Sequence, residues 1–160
     1  MQPRFEHSSI RFFIGKKIIT RLANNDTRDL WQSFMSLRTS IPNRISEDLF
    51  SIEIYDPQLD FFLFDSQTTF EKWAALEVQA LDDIPAELFG LSMPTGLYAV
   101  FTHVGSHPEV LKAMENIYKV WLPGSEYVLD NRPHLEVMGA KYKNDSADSE
   151  EELWVPLMRK

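Results

Sequence analysis

The sequence has no cysteine among its 160 residues, and this absence excludes several kinds of chemistry. Thiol catalysis, disulfide bridges and thiolate metal sites all need cysteine. The absence is compatible with a reducing cytoplasm, where disulfides are rare. Positive charge is also scarce, since 16 Lys and Arg stand against 24 Asp and Glu, for a formal net charge of -8. Because such a field repels phosphate backbones, we do not expect nucleic acid as a direct partner.

Long hydrophobic runs are missing as well. No segment approaches the ~18 apolar residues that a membrane span needs, and the N-terminal sequence MQPRFEHSSIRFFIGKK has no apolar stretch that could form the centre of a signal peptide. We therefore expect a cytoplasmic protein with no membrane partner. Aromatic side chains are abundant, with 11 Phe, 5 Tyr and 4 Trp, and the length suits one domain spanning residues 1–160.

Hydrophobic periodicity predicts an α+β protein. Strands are expected at residues 10–20, 50–55, 97–101, around 135–137 and at 153–157. A helix is expected at 28–37 after the capping sequence of residues 24–27, and another from 107 to 121, with Pro108 in its first turn. Residues 70–81 fit helix or strand equally well, and the pattern of the second half favours strand. The acidic run at 145–152 is typical of a solvated turn.

Landmark spacings indicate an internal duplication, with repeats at about 1–85 and 90–160. Gly15 precedes Trp31 by 16 residues, and Gly105 precedes Trp121 by the same 16. The segments Ile52-Glu53-Ile54 and Leu135-Glu136-Val137 also correspond. The predicted fold is a duplicated β-α-β-β unit with pseudo-two-fold symmetry, in which antiparallel sheets carry helices on one side. A ligand cleft is expected between the repeats.

Several segments, in order along the chain, resemble the GyrI-like family, also called the AraC-type effector-binding or multidrug-binding domain. The segments are Leu30-Trp31-Gln32-Ser33-Phe34, Ser51-Ile52-Glu53-Ile54-Tyr55, Met93 to Phe101 with His103 and Gly105, Trp121-Leu122-Pro123 with Tyr127 and Leu129, Arg132 to Glu136, and Glu151 to Leu157. The resemblance implies a duplicated strand-helix-strand-strand fold that binds cationic or amphiphilic aromatic compounds. In many relatives the domain follows a DNA-binding helix-turn-helix and takes part in transcription regulation. If this chain is complete, it cannot regulate by contacting DNA itself.

The resemblance also implies that the carboxylate of Glu136 reaches into the cleft. The family usually has aromatic residues just before and two places after this Glu, where this chain has Leu135 and Met138. A partly desolvated carboxylate attracts cations strongly, and aromatic faces add cation-π attraction. The candidate aromatic walls are Trp73, Tyr55, Phe101, Trp31 and Tyr142. For Trp31 and Trp121, which lie on the apolar faces of helices, a core position is more usual than a ligand contact. Glu53, the repeat counterpart of Glu136, is either a second cation contact or, as is more usual, an exposed strand residue.

No metal, cofactor or catalytic residue is predicted. His103 and His107 stand four apart, but Gly105 lies between them and the helix starts only at His107, so they are not expected to share a face. The preferred hypothesis is therefore a stand-alone binder of cationic, aromatic or amphiphilic small molecules. One alternative is a hydrolase of a reactive small molecule that uses the same glutamate. Another is a protein-protein inhibitor or regulator that docks through the acidic surface. The sequence does not decide the oligomeric state.

Overall fold

In the computed structural model, which describes residues 2–24, 26–144 and 146–160, a single antiparallel sheet of nine strands carries two α-helices. The strands are β1 (Arg4–Ser8), β2 (Arg11–Thr20), β3 (Leu49–Ile54), β4 (Phe70–Val78), β5 (Phe89–Met93), β6 (Gly96–Val104), β7 (Tyr127–Leu129), β8 (His134–Met138) and β9 (Glu150–Arg159). The helices are α1 (Thr27–Leu37) and α2 (His107–Asn116), and a π-helical segment, Ile117–Trp121, continues α2. The prediction of an antiparallel α+β protein is confirmed.

Strands from the two halves of the chain alternate at several places in the sheet. The order is β1-β6-β9-β8-β3-β4-β2-β5, and β7 pairs with β9. The strands β8 and β3 meet in the middle, so the sheet is continuous across the halves. At its ends β1 pairs with β6 and β5 pairs with β2. The internal duplication and its repeat boundaries stay predictions.

The two faces of the sheet bury different apolar clusters because side chains alternate along each strand. On one face α1 covers Ile14, Ala74 and Leu76, and α2 covers Ala99 and Phe101. The opposite face buries a third cluster, composed of Phe13, Phe50, Ile52, Trp73, Ala75, Met93, Tyr98, Val100 and Leu135. Both faces are therefore apolar cores, and a polar side chain beneath the helices is withdrawn from bulk water.

The starts of the two helices agree only in part with those predicted from the sequence. Pro108 stands in the first turn of α2 as predicted, where the Glu109 carboxylate accepts a hydrogen bond from the Ser106 backbone N–H at 3.1 Å. For α1, Asn25 lies outside the described residues. The side chain of Asp26 instead accepts from the Thr20 hydroxyl at 3.0 Å. In the described part of the chain no side chain caps α1, so the capping prediction is wrong there.

The acidic run at 145–152 is not a solvated turn throughout, although Asp145 itself lies outside the described residues. The strand β9 already begins at Glu150, and the side chain of Glu151 is buried on it opposite His103 of β6. The prediction is therefore wrong from residue 150 onward, because the pairing of β9 with β6 extends farther than its apolar residues do.

Candidate functional site

A cavity of ≈ 460 Å³ lies between the two helices and the centre of the sheet. Its deep end is formed by strands β3, β4 and β8, and its sides by α2, by the start of α1 and by the loop after β3. It is lined by Thr20, Arg21, Leu22, Asn24, Thr27, Glu53, Tyr55, Phe61, Phe64, Asp65, Ser66, Phe70, Lys72, His107, Val110, Leu111, Met114, Glu115, Tyr118, Lys119 and Glu136. Its volume is in the range of small-molecule sites.

Two glutamates and a lysine form the floor of the cavity. In the strand register Glu136 stands opposite Ser51, and Glu53 stands opposite Lys72, so Glu53 and Glu136 point to the same face as diagonal neighbours. One carboxylate oxygen of Glu53, Oε1, accepts from the Ser51 hydroxyl at 3.0 Å and from the Lys72 ammonium at 3.4 Å. Glu53 is only 3% exposed, so the expectation of an exposed strand residue is wrong, because the helices cover this face of the sheet.

The floor carboxyls hold protons more tightly than ordinary glutamates. Burial, followed by the negative charge of Glu136, raises the pKa of Glu53 to about 8. Burial also raises the pKa of Glu136, with Lys72 opposing this effect. Glu151 lies beside Glu136 on the next strand, and burial raises its pKa too. Glu53 is therefore mainly protonated at neutral pH, whereas Lys72, whose pKa is raised by the glutamates around it despite its burial, remains an ammonium.

Aromatic rings form one wall of the cavity. Tyr55, at the end of β3, makes edge contacts with Phe61 at a centroid distance of 4.9 Å and with Phe64 at 6.1 Å, and a tilted contact with Phe70 at 5.5 Å. Phe61 stacks on Tyr118 of the π-helical segment at 4.6 Å. These rings lie beside the carboxyl pair, so the cavity combines negative charge with π faces, which is the combination that binds organic cations.

The hydroxyl of Tyr118 is used inside the protein. It lies 2.6 Å from Nδ1 of His134, which is buried below the aromatic wall. Burial, together with the charge of Arg132, lowers the pKa of His134 to about 3, so the ring is neutral and its Nδ1 can accept the phenolic hydrogen. The ring of Tyr118 therefore faces the cavity, and the hydrogen bond of its hydroxyl to His134 fixes the position of the ring.

Replacing Tyr118 with phenylalanine tests whether its hydroxyl serves only to bind His134 while its ring faces the cavity. We expect the variant to lose about 1 kcal/mol of unfolding free energy, because the buried His134 nitrogen loses its partner. Its affinity for a ligand should change less than twofold, since the ring stays. Urea denaturation and ligand titration of the same sample measure the two quantities. A large loss of affinity at unchanged stability would show instead that the hydroxyl contacts the ligand.

Besides Glu53, the structure brings two of the sequence candidates to this cavity. Within the described residues, Glu136 and Tyr55 line it, whereas Trp73, Phe101 and Trp31 do not. Trp73 is 2% exposed in the cluster on the opposite face, and Phe101 is fully buried against Trp121 at 5.1 Å. Trp31 is half-buried and packs edge-on to Phe34 at 5.9 Å.

Tyr142 lies in the turn that joins β8 to β9, where its backbone N–H donates to the Gly139 carbonyl. This turn does not contribute to the described cavity lining. Contact of any of these residues with a ligand stays a prediction.

Sequence reasoning missed much of the lining. Phe61, Phe64 and Tyr118 line the cavity, but none of them is among the residues that the sequence indicates for the aromatic walls. Lys72 was overlooked beside Trp73. The cluster of aromatic residues between Asp60 and Asp65, read together with Tyr55 just before it, is the signal that could have found the wall.

The described residues contain no group of three or more His, Asp or Glu side chains placed to hold a metal ion. His103 lies on β6 and His107 at the start of α2, so they do not share a helix face. In the same part of the chain, no helix is long and apolar enough to cross a membrane.

Comparison with known proteins gives the class. The family model of Cass2, an integron-associated effector binding protein, matches residues 8–157. The chain therefore belongs to this family, and it is a ligand-binding effector domain of the GyrI-like type, as the sequence motifs indicated. No curated protein matches the chain.

Solved structures share the fold across nearly the whole chain. One is SAV2435 bound to tetraphenylphosphonium, with a TM-score of 0.75, 15% identity, and coverage of 99% of this chain and 94% of that one. The EcmrR C-terminal domain has a TM-score of 0.74 and 14% identity, and the match covers 99% of this chain and 98% of that one. The integron cassette protein VCH_CASS2 of Vibrio cholerae has a TM-score of 0.65 and 16% identity, and the match covers 99% of this chain and 97% of that one. At these identities the likeness concerns the fold alone.

Proposed function

We propose that this protein binds cationic aromatic or amphiphilic small molecules in the cavity between its helices, with Glu136 as the main charge partner. The proposal depends on one observation, the presence of Glu136 and Glu53 on the floor of a cavity walled by Tyr55, Phe64 and Tyr118. A carboxylate in low dielectric attracts a cation more strongly than one in water does. The aromatic faces bind the same cation without demanding one ligand shape.

The class of ligand is supported from two sides. The net charge of the whole chain, -8, raises the local concentration of cations around it. SAV2435, which shares the fold, binds tetraphenylphosphonium, a monocation built of aromatic rings. A ligand of this size and charge suits the ≈ 460 Å³ cavity.

A matched pair of compounds tests the proposal. We expect tetraphenylphosphonium to raise the melting temperature in a concentration-dependent way, because a ligand that binds only the folded state stabilises it by mass action. Triphenylphosphine oxide, which carries similar rings without a net charge, should have little effect. Mass spectrometry should recover the cation unchanged. Equal stabilisation by both compounds would contradict the proposed role of charge, and disappearance of the ligand with time would favour the hydrolase hypothesis.

A further inference from the structure

We propose that the cavity holds the alkyl chain of a single-chain cationic amphiphile, with the charged head at Glu136 and the chain running along α2 to the opening of the cavity. The inference rests on the proposed function, because it names one class of ligand and its orientation in the same cavity. The residues assigned to the chain are Leu111 and Met114 of α2, Tyr118 of its π-helical continuation, and Leu22 of the loop after β2.

The first step is an apolar stripe along α2. Leu111, Met114 and Tyr118 are spaced three and four residues apart, so they lie on one face of the helix, and all three line the cavity. Tyr118 is 8% exposed and belongs to the aromatic wall, whereas Leu111 is 42% exposed. The stripe therefore leads from the wall to solvent. It extends over roughly 10 Å along the helix axis, which is close to the length of an octyl chain.

The second step is the apolar surface at the opening. Leu22 lines the cavity from the loop after β2 and is 47% exposed. Charged lining residues next to the two leucines are paired within the protein. The Lys119 ammonium lies 3.2 Å from the Glu115 carboxylate, and the Arg21 guanidinium donates to the Gln67 amide oxygen at 3.3 Å. The leucines of α2 and of the loop therefore leave exposed apolar surface, continuous with the cavity, that a bound chain can cover.

The third step is orientation. Glu136 stands on the floor, and strands β3, β4 and β8 close the cavity behind it. A chain attached to a cation bound there has to run towards the opening. A methylene that is fully buried against apolar side chains raises affinity by about fourfold. Chain length therefore becomes a basis of selection, and a compact cation such as tetraphenylphosphonium does not use it.

The test is a series of benzyldimethylalkylammonium ions with butyl, hexyl, octyl and dodecyl chains, which share one head group and one charge. Isothermal titration calorimetry on the intact protein, below the micelle-forming concentration of each ion, gives the dissociation constants. We expect affinity to rise about tenfold or more from butyl to octyl, because each added methylene is at least partly buried. From octyl to dodecyl the gain should be less than about threefold, because the added methylenes extend past the exposed Leu111 into water.

A double variant tests where the chain lies. In Leu22→Ser with Leu111→Ser, the octyl ion should bind about fivefold more weakly or worse, whereas the affinity of the butyl ion should change less than about twofold. The control is Leu63→Ser with Val120→Ser, at positions that are 73% and 64% exposed and lie outside the described cavity lining. This control should keep the wild-type dependence on chain length. Circular dichroism establishes that both proteins are folded.

Equal affinities of the wild type for the butyl and octyl ions overturn the inference, while the proposed function stands if tetraphenylphosphonium binds. A dependence on chain length that persists in Leu22→Ser with Leu111→Ser also overturns it, and so does an equal loss for the butyl and octyl ions. A gain that continues undiminished from octyl to dodecyl contradicts the stripe as the site of the chain. If neither this series nor tetraphenylphosphonium binds, the proposed function fails together with the inference.

Discussion

The variant Glu136→Gln is expected to bind tetraphenylphosphonium about ten- to a hundred-fold more weakly than the wild type. Opposite charges a few ångströms apart attract by about 3 kcal/mol at an effective dielectric constant near 20, and the cost of desolvating them cancels only part of this attraction. Glutamine keeps the shape of the side chain and removes its charge. Since the Glu136 pKa is raised by burial, the folded protein should lose no stability. Isothermal titration calorimetry with the cation gives the dissociation constants.

The matched control for this variant is Glu87→Gln, which makes the same change in net charge at an exposed position outside the described cavity lining. It should bind as the wild type does, because a surface charge is screened by salt. Equal affinities for wild type, Glu136→Gln and Glu87→Gln would show that the Glu136 carboxylate does not bind the cation. A circular dichroism spectrum and a melting curve establish that each variant is folded.

The affinity for tetraphenylphosphonium should also rise with pH, by about sixfold between pH 6.5 and 8.5 if the cation lowers the pKa of Glu53 by about one unit. The pKa of Glu53 in the free protein is raised to about 8, by burial first and then by the charge of Glu136. Below that pH a cation must compete with the proton. Above it the carboxylate is already charged, so the affinity should level off. The ligand itself does not titrate.

The groups that face Glu53 determine how this pH experiment is read. They are Lys72 of β4, His134 and Glu136 of β8, Glu151 of β9, and the rings of Tyr55 and Tyr118. His134 stays neutral throughout, because burial lowers its pKa to about 3. Lys72 and the tyrosines have raised pKa values, so they do not lose protons in this range. Glu53→Gln should flatten the pH dependence. If the variant keeps the wild-type slope, the titrating group is Glu136 or Glu151 instead.

The sequence predicts the long apolar elements well and the sheet edges poorly. The strands β2, β3 and β6 and both helices lie where periodicity indicates, because each buries a continuous apolar face. Periodicity alone left β4 undecided, and the choice of strand there is confirmed. The strands β1 and β5 were missed since most of their side chains are exposed at the two ends of the sheet, and β7 because it has only three residues. Such strands form through backbone pairing, which leaves a weak side-chain pattern.

The residues of the site are harder to predict from the sequence than the elements of the fold. Alternation along β4 requires Lys72 and Trp73 to face opposite sides of the sheet, but it does not say which side carries the cavity. The aromatic residue was the natural choice, and only the register with β3 places Lys72 on the cavity face. Glu53 presents the same problem, because a carboxylate between apolar neighbours resembles a solvent-facing residue unless the helices above it are known. Glu136 was found through the family resemblance.

The exchange of edge strands between the halves has a consequence for how the cavity comes into being. The strand at residues 4–8 must find its partner at 96–100, and the strand at 89–93 must return to 11–15. Folding of this chain therefore has to close long loops before the contacts that hold them become available, which makes assembly of such a topology slow. The acidic floor depends on a long-range contact of the same kind, because Glu53 and Glu136 come together only when β3 pairs with β8 from the far half of the chain.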